Sequence, residues 1–263
     1  MIKLETFHEY LTSYLEKFDE LARKYDQTYN NCLVLESLID DYSKFITSHT
    51  NREIWDLAQQ ESSDFNQLML DLRKKSTHCV AIMEKYRALK LLNGNDVMSD
   101  YFKNIESCIE KEFGSFQINS ESKVLLIGSG SFPMTPLLIA RETGAKVVGI
   151  DIDNEAIKLG LNVVKRLGSE LNIRLEQTTV EDLNFTKEAT YIIFSSTVEK
   201  KYEILDQLHT LTNQKVVVAM RYGDRLKSLF NYPMKKVNEQ KWELVENILR
   251  PDHVFDIALY KKV

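Results

Sequence analysis

Proline and glycine are almost absent from the first part of the chain. Residues 1–113 contain no proline and a single glycine, Gly94. A segment without these residues has few points at which a helix must end. Apolar residues recur there every three or four positions, which is the spacing of one helix face. The sequence therefore predicts a helical bundle over a first domain, 1–117, with apolar stripes over residues 4–25, 35–46, 64–92 and 101–113.

Cysteine is scarce as well. The three cysteines, Cys32, Cys79 and Cys108, lie far apart in the sequence and form no CxxC pair. This argues against a disulfide framework and against a zinc site of the usual spacing. The five histidines are scattered and form no HExxH group. We therefore expect no metal cofactor.

Long hydrophobic runs are also missing. No apolar run approaches the roughly 18 residues that a membrane span needs. The first residues carry acids and no continuous apolar core, which argues against a signal peptide and favours a cytoplasmic protein without a membrane partner. The 34 Lys and Arg are outnumbered by 39 Asp and Glu, and the net charge of −5 argues against a nucleic-acid partner that needs a broad basic face.

The rest of the chain, predicted as a second domain over 118–263, alternates short apolar runs with helical segments. The runs at 123–127, 146–150, 191–194 and 215–219 are typical of strands buried on both faces. Helical segments at 134–143, 154–167 and 199–211 separate them, which favours a parallel sheet of the Rossmann type. The runs at 242–248 and 254–260 flank a turn signal and predict a terminal hairpin. The predicted fold is α/β, an N-terminal all-helical bundle followed by a class I S-adenosylmethionine-dependent transferase sheet with a C-terminal antiparallel hairpin.

A glycine turn follows the first predicted strand. Gly128, Ser129 and Gly130 lead into a helix, with Pro133 predicted at its first position. Glycine lets the backbone approach a ligand closely, and the missing third glycine of the dinucleotide fingerprint argues against an ordinary nicotinamide site. Asp151 ends the second strand, where a carboxylate accepts hydrogen bonds from ribose hydroxyls. The neighbouring Asp153 is expected to cap the next helix.

The ends of the later strands supply the other candidates. A third strand is expected between the runs at 146–150 and 191–194, which makes these two runs the second and fourth strands. Residues Thr179, Val180 and Glu181 follow that third strand, where such sheets often hold an adenine, although a surface loop fits them equally well. Ser196 ends the fourth strand and offers a hydroxyl or backbone contact or a helix cap. Arg221 and Tyr222 follow the fifth strand. A guanidinium holds a carboxylate in bidentate fashion, and a surface salt bridge is the alternative for Arg221.

Two sequence blocks resemble nicotianamine synthase and its bacterial relatives. Residues 128–135, GSGSFPMT, resemble the glycine turn of that family, with Ser131 and Phe132 in place of Pro-Leu. Residues 221–233, RYGDRLKSLFNYP, resemble the segment after its fifth strand. The order of a helical part before a transferase sheet is also similar. Within the family, the chain most resembles the bacterial aminobutanoyltransferases of staphylopine-type metallophore synthesis.

The resemblance implies the activity. Family members use S-adenosylmethionine as a co-substrate and transfer its 3-amino-3-carboxypropyl (aminobutanoyl) group to an amine, releasing methylthioadenosine. It implies a small amino-acid acceptor, D-histidine, and a product that passes to a dehydrogenase of the metallophore pathway. A homodimer is also compatible with it. Glu84 resembles the family glutamate that lies over the cofactor and is our candidate base, with a solvated helix glutamate as the alternative. Tyr101 resembles a family tyrosine beside the reacting groups, with core packing as its alternative.

Two other functions stay open at this stage. The same sheet is compatible with an ordinary methyltransferase, whose by-product is S-adenosylhomocysteine. The chain is also compatible with a catalytically silent nucleoside-binding protein whose helical part docks a partner. No GxSxG motif is present, which argues against a hydrolase of that type.

Overall fold

The computed structural model describes residues 4–58, 63–94 and 116–263 of the chain. The described residues of the N-terminal part form four helices: α1 (Leu4–Arg23), α2 (Cys32–Thr47), α3 (His49–Ala58) and α4 (Ser63–Leu92). The stripe at 64–92 is thus one 30-residue helix. None of the sequence stripes covers α3, although its Trp55 is fully buried. The predicted helix at 101–113, with Tyr101 and Cys108, lies outside the described residues.

The second part is a seven-stranded sheet with three helices. The elements follow in the order β1 (Lys123–Ile127), α5 (Met134–Thr143), β2 (Lys146–Asp151), α6 (Asn154–Leu167), β3 (Ile173–Gln177), β4 (Tyr191–Phe194), α7 (Lys201–Leu211), β5 (Val217–Tyr222), β6 (Trp242–Ile248) and β7 (Asp256–Lys262). The strand order is β3-β2-β1-β4-β5-β7-β6, and the first five strands are parallel. The last two are antiparallel, so the predicted fold and its hairpin are confirmed.

Some predicted boundaries are wrong by one to three residues. Strand β5 extends to Tyr222, so Arg221 and Tyr222 lie in the strand and not after it as predicted. The fifth strand begins at Val217 and not at residue 215, because the Asn213 side chain binds the N–H of Lys215 and closes a turn there. The seventh begins at Asp256 and not at residue 254, because the Val254 carbonyl accepts a hydrogen bond from Asn231. Pro133 is the N-cap of α5 and not its first residue. Helix α7 begins at Lys201, two residues later than predicted.

The helical part and the sheet share one hydrophobic core. The buried cluster that contains Phe18 and Tyr42 of the helices continues to Leu126 and Ile257 of the sheet. The Tyr42 hydroxyl donates to the Leu229 carbonyl across this boundary at 2.9 Å. Helix α4 packs against α6 and against the short 3-10 segment Arg225–Leu229. This packing brings one face of α4 to the carboxyl ends of the strands; the division of the chain at 117/118 stays a prediction.

A buried ion pair attaches β7 to the segment after β5. The Lys227 Nζ lies 2.7 Å from Asp256 Oδ1, and both side chains are about nine-tenths buried. The same carboxylate oxygen accepts the Arg250 N–H at 2.7 Å. Breaking a buried pair leaves an uncompensated charge, so we expect Asp256→Ala to lower the free energy of unfolding by about 3–5 kcal/mol in chemical denaturation.

The matched control is Asp206→Ala, which removes the partner of Lys241 in an exposed pair at the protein surface. Exposed pairs contribute about 0–1 kcal/mol, so this variant should stay close to the wild type. Equal losses for the two variants would contradict the proposed cost of the buried charge.

Candidate functional site

The glycine turn joins β1 to α5 at the carboxyl edge of the sheet. The N–H groups of Gly128 and Ser129 both donate to the Ile150 carbonyl of β2, at 2.9 and 3.0 Å. Gly128 and Gly130 have φ angles of +82° and +66°, a region that favours glycine. A Cβ on Gly128 would lie 2.7 Å from the Val198 side chain. Gly128 and Ser129 of this turn line the crevice beside it.

Asp151 holds this turn from the end of β2. Its Oδ2 accepts the Gly130 N–H at 3.0 Å, and its Oδ1 accepts the Asp153 N–H at the same distance. The Asp153 side chain in turn accepts the N–H groups of Glu155 and Ala156, which makes it the N-cap of α6 as predicted. The carboxylate that the sequence assigns to a ribose thus lies directly against the glycine turn.

Glu84 comes from α4 and contacts the same turn. Its Oε2 accepts the Ser131 N–H at 3.2 Å. A Cβ on Gly130 would lie 1.9 Å from this oxygen. Burial, and to a smaller extent the nearby Asp151 carboxylate, raise the pKa of Glu84 to about 8. A carboxyl with this pKa exchanges protons near neutral pH, as a general base requires.

A cavity at the carboxyl ends of the strands is lined by Glu84 and four more predicted residues. Its lining comes from α4, from the glycine turn, from the end of β4 and from β5. The lining residues are Val80, Glu84, Leu126, Gly128, Ser129, Phe132, Met134, Thr135, Ser195, Ser196, Thr197, Arg221 and Phe255. Open α/β sheets bind ligands in this crevice. The structure therefore brings together Glu84, Gly128, Ser129, Ser196 and Arg221.

Arg221 closes the cavity from the end of β5. Its Nη2 donates to the Thr135 hydroxyl at 3.1 Å, and its guanidinium lies 5.0 Å from the centre of the Phe255 ring. The side chain is buried. Thr135 lies in the first turn of α5, where the helix dipole also favours an anion. This end of the cavity can hold a carboxylate.

Seven predicted residues do not line this cavity, namely Gly130, Pro133, Asp151, Thr179, Val180, Glu181 and Tyr222. Tyr222 points to the other face of β5, and its hydroxyl donates to Asn247 of β6 at 2.7 Å. Thr179 binds Asp182 and, like Glu181, is exposed, whereas Val180 is buried in the core on the far side of the sheet. Residues 179–181 follow β3. Their two sequence interpretations, an adenine site and a surface loop, both stay predictions.

Sequence reasoning missed several residues of the site. Phe255 belongs to the region before β7, and no motif marks it. Lys201 is fully buried and donates to the carbonyls of Ser196 and Arg221, at 2.9 and 2.7 Å. Burial and the Arg221 charge lower its pKa well below the usual value. Phe194 and Met220 are the last paired residues of β4 and β5. Just beyond them the strands separate to open the cavity, and there the Lys201 amine binds the two carbonyls.

The described residues contain no group of three His, Cys, Asp or Glu side chains arranged to hold a metal ion. No helix in the same part of the chain combines the length and the hydropathy that crossing a bilayer requires.

Comparisons with known proteins agree with this architecture. A family model described as a methyltransferase domain matches residues 118–258. The L-histidine 2-aminobutanoyltransferase of Pseudomonas aeruginosa strain UCBPP-PA14 is 27% identical over 230 residues, which cover 87% of this chain and 86% of that protein. A Yersinia pestis protein of the same name is 28% identical over 193 residues, 69% of this chain and 72% of its own.

Solved structures of a nicotianamine synthase, MtNAS, share the fold along almost the whole chain. MtNAS in complex with MTA and tNA has a TM-score of 0.77 at 14% identity and covers 98% of both chains. A glutamate-to-glutamine variant of MtNAS in complex with S-adenosylmethionine has a TM-score of 0.71 at 15% identity and covers 95% of this chain and 98% of its own. The resemblance stated from the sequence is confirmed.

Proposed function

Because this chain belongs to the methyltransferase-domain family, we propose that it uses S-adenosylmethionine, and that it transfers the 3-amino-3-carboxypropyl group of that co-substrate to an amino-acid amine. The by-product is methylthioadenosine. The observation that carries the proposal is Glu84, a carboxyl whose pKa is raised to about 8 and which lies on the glycine turn inside the cavity. The relatives that match most of the chain are, moreover, named for aminobutanoyl transfer.

The residues present fit a nucleoside co-substrate. Gly128 and Ser129 of the glycine turn line the crevice, and Asp151, which accepts the Gly130 N–H, has the acceptor oxygens that ribose hydroxyls require. We assign the turn, Ser129 and Asp151 to binding, together with Pro133, the N-cap of α5, and residues 179–181 after β3. The sulfonium of S-adenosylmethionine supplies an activated leaving group, so the protein needs to align the reactants and remove a proton.

Glu84 is our candidate for the proton acceptor. An amino-acid amine is mostly ammonium at neutral pH and does not attack carbon until it loses a proton. A carboxylate whose pKa is near that of the amine accepts this proton without a large energetic cost. Tyr101 stays a second catalytic candidate from the resemblance.

Arg221 is our candidate for a substrate contact, whereas Ser196 is assigned to S-adenosylmethionine. Both reacting molecules carry an α-carboxylate, and Arg221 with the first turn of α5 forms a positive end of the cavity for one of them. Tyr222 was predicted beside it; in this structure its hydroxyl contacts Asn247 and it supports β5 from the other face.

The acceptor we propose is histidine. The resemblance of the two sequence blocks implies D-histidine, whereas the relatives are named for L-histidine. The enantiomer is therefore decided by measurement.

The test is mass spectrometry of the protein incubated with S-adenosylmethionine and single amino acids, including both histidine enantiomers. Methylthioadenosine together with an adduct about 101 Da heavier than the acceptor, the mass of C4H7NO2, supports the proposal. S-adenosylhomocysteine with a methylated acceptor would replace it by a methyltransferase. Cofactor binding without any product would favour a silent binding protein.

Three further predictions follow from the resemblance. The product is passed to a downstream dehydrogenase of a metallophore pathway, the chain forms a homodimer, and it works in the cytoplasm. The first is tested by coupling product formation to a nicotinamide-dependent reduction, and the second by the mass in solution.

A further inference from the structure

A cluster of charged side chains joins helix α4 to the start of α6, outside the cavity. The Lys85 Nζ lies 2.7 Å from Asp153 Oδ2 and 2.6 Å from Glu155 Oε2. The Tyr25 hydroxyl donates to the other oxygen of Glu155 at 2.7 Å, and its ring lies under the Lys85 ammonium. Lys85 is 12% exposed, less than either carboxylate. This cluster connects three segments that are distant in sequence.

The two carboxylates of the cluster belong to the turn that holds Asp151. Asp153 uses one oxygen to cap α6 and the other to bind Lys85. Its N–H donates to Asp151, whose second oxygen accepts the Gly130 N–H. A continuous set of contacts therefore runs from Lys85 to the glycine turn.

The residue before Lys85 contacts the same turn directly. Glu84 accepts the Ser131 N–H, so two adjacent residues of α4 bind two loops at the carboxyl edge of the sheet. The loop after β1 is held by Glu84 and the loop after β2 by Lys85. Both loops carry the residues that we assign to S-adenosylmethionine.

We infer that Lys85 is a positioning residue, which fixes the helix of the base and the ribose-binding turn relative to each other. Its contacts keep Asp151 oriented toward the cofactor site and keep the Glu84 carboxyl pressed on the glycine turn. The kinetic part of this inference rests on the proposed function, whereas the binding part needs only that S-adenosylmethionine binds.

The test is a double-mutant cycle on the dissociation constant of S-adenosylmethionine, measured by calorimetry. Lys85→Met removes the ammonium, and Asp153→Asn removes the charge of its partner while an asparagine still caps α6. We expect each variant to weaken binding about tenfold and the double variant to weaken it by clearly less than the sum, because both remove the Lys85–Asp153 pair. Lys123→Met, which breaks the exposed pair with Glu188, is the control and should bind normally.

A second readout separates positioning from simple stabilisation. In Lys85→Met the Glu84 carboxyl loses the Ser131 N–H, a contact that lowers its pKa, so its pKa rises and the half-maximal rate moves to higher pH. The titratable groups that face Glu84 and Lys85 are Asp151, Asp153, Glu155, Tyr25 and, nearer the start of α4, His78. Asp153→Asn should move the half-maximal rate in the same direction, because it loosens the same contact.

Unchanged binding and an unchanged pH profile in both single variants, with only a lower melting temperature, would overturn the inference. Additive losses in the double variant would overturn it too. Failure of the proposed function has another signature, a wild-type protein that binds S-adenosylmethionine but releases no methylthioadenosine. The binding cycle still decides the role of Lys85 in that case.

Discussion

Replacing Glu84 by Gln is expected to lower the rate of methylthioadenosine release by about 10²-fold or more, the usual contribution of a positioned acid–base group. Glutamine has the same shape, and its carbonyl oxygen still accepts the Ser131 N–H. The fold of the glycine turn and the binding of S-adenosylmethionine should therefore persist. Only the capacity to accept a proton is lost.

The measurement is single-turnover release of methylthioadenosine alongside the dissociation constant of S-adenosylmethionine. Glu20→Gln is a control, because Glu20 is an exposed glutamate of α1 that pairs with Lys24 and does not line the cavity. It should keep both its stability and its rate constant for transfer. Normal turnover by Glu84→Gln would remove Glu84 from the mechanism.

The wild-type pH profile should carry the signature of the same group. Burial and the Asp151 carboxylate raise the pKa of Glu84 to about 8, so the basic form is the minor form at pH 7 and the major form above pH 8. We expect the rate at saturating substrates to rise with pH and reach half of its maximum near pH 8. In Glu84→Gln this limb should disappear; a limb that survives in the variant belongs to another group, such as the acceptor amine.

The sheet and the glycine turn could be predicted because their signals are local. Strands buried on both faces, such as β1 and β4, are uninterrupted apolar runs, and their limits coincide with the predicted ones. The turn after β1 and the acid at the end of β2 are neighbours in any parallel sheet in which β1 pairs with β2. Asp151 therefore lies where its position in the sequence predicts it.

The contacts between α4 and the sheet could not be predicted in the same way. The residues themselves show that Glu84 is one acid on a long helix, and only the resemblance singled it out. Its raised pKa depends on how α4 packs across the glycine turn, over 40 residues away in sequence. No sequence motif marks Lys201 or Phe255, and the sequence alone does not distinguish a buried lysine from an exposed one. Such residues become visible only when their partners are known.

The second large effect is expected from Gly130→Ala. The φ of Gly130 is +66°, which costs an L-residue about 1–2 kcal/mol, and the new Cβ would lie 1.9 Å from Glu84 Oε2. The Glu84 side chain is flexible enough to move away, but it then loses the Ser131 N–H and leaves its position over the turn. We expect the rate of transfer to fall about 10²-fold, as far as in Glu84→Gln, because the base is displaced.

Gly94→Ala separates the effect of backbone strain from the effect of the collision with Glu84. Gly94 has a φ of +82° and no atom within 4 Å of an added Cβ, so this variant carries the backbone strain without the collision. Chemical denaturation should show a comparable loss of stability for both variants, while methylthioadenosine release falls only in Gly130→Ala. Combining Gly130→Ala with Glu84→Gln should cost little more than either change alone, since both remove one base. A normal rate in Gly130→Ala would show that transfer does not need the Glu84 carboxyl on the glycine turn, and full additivity would show that the turn acts on the reaction independently of Glu84.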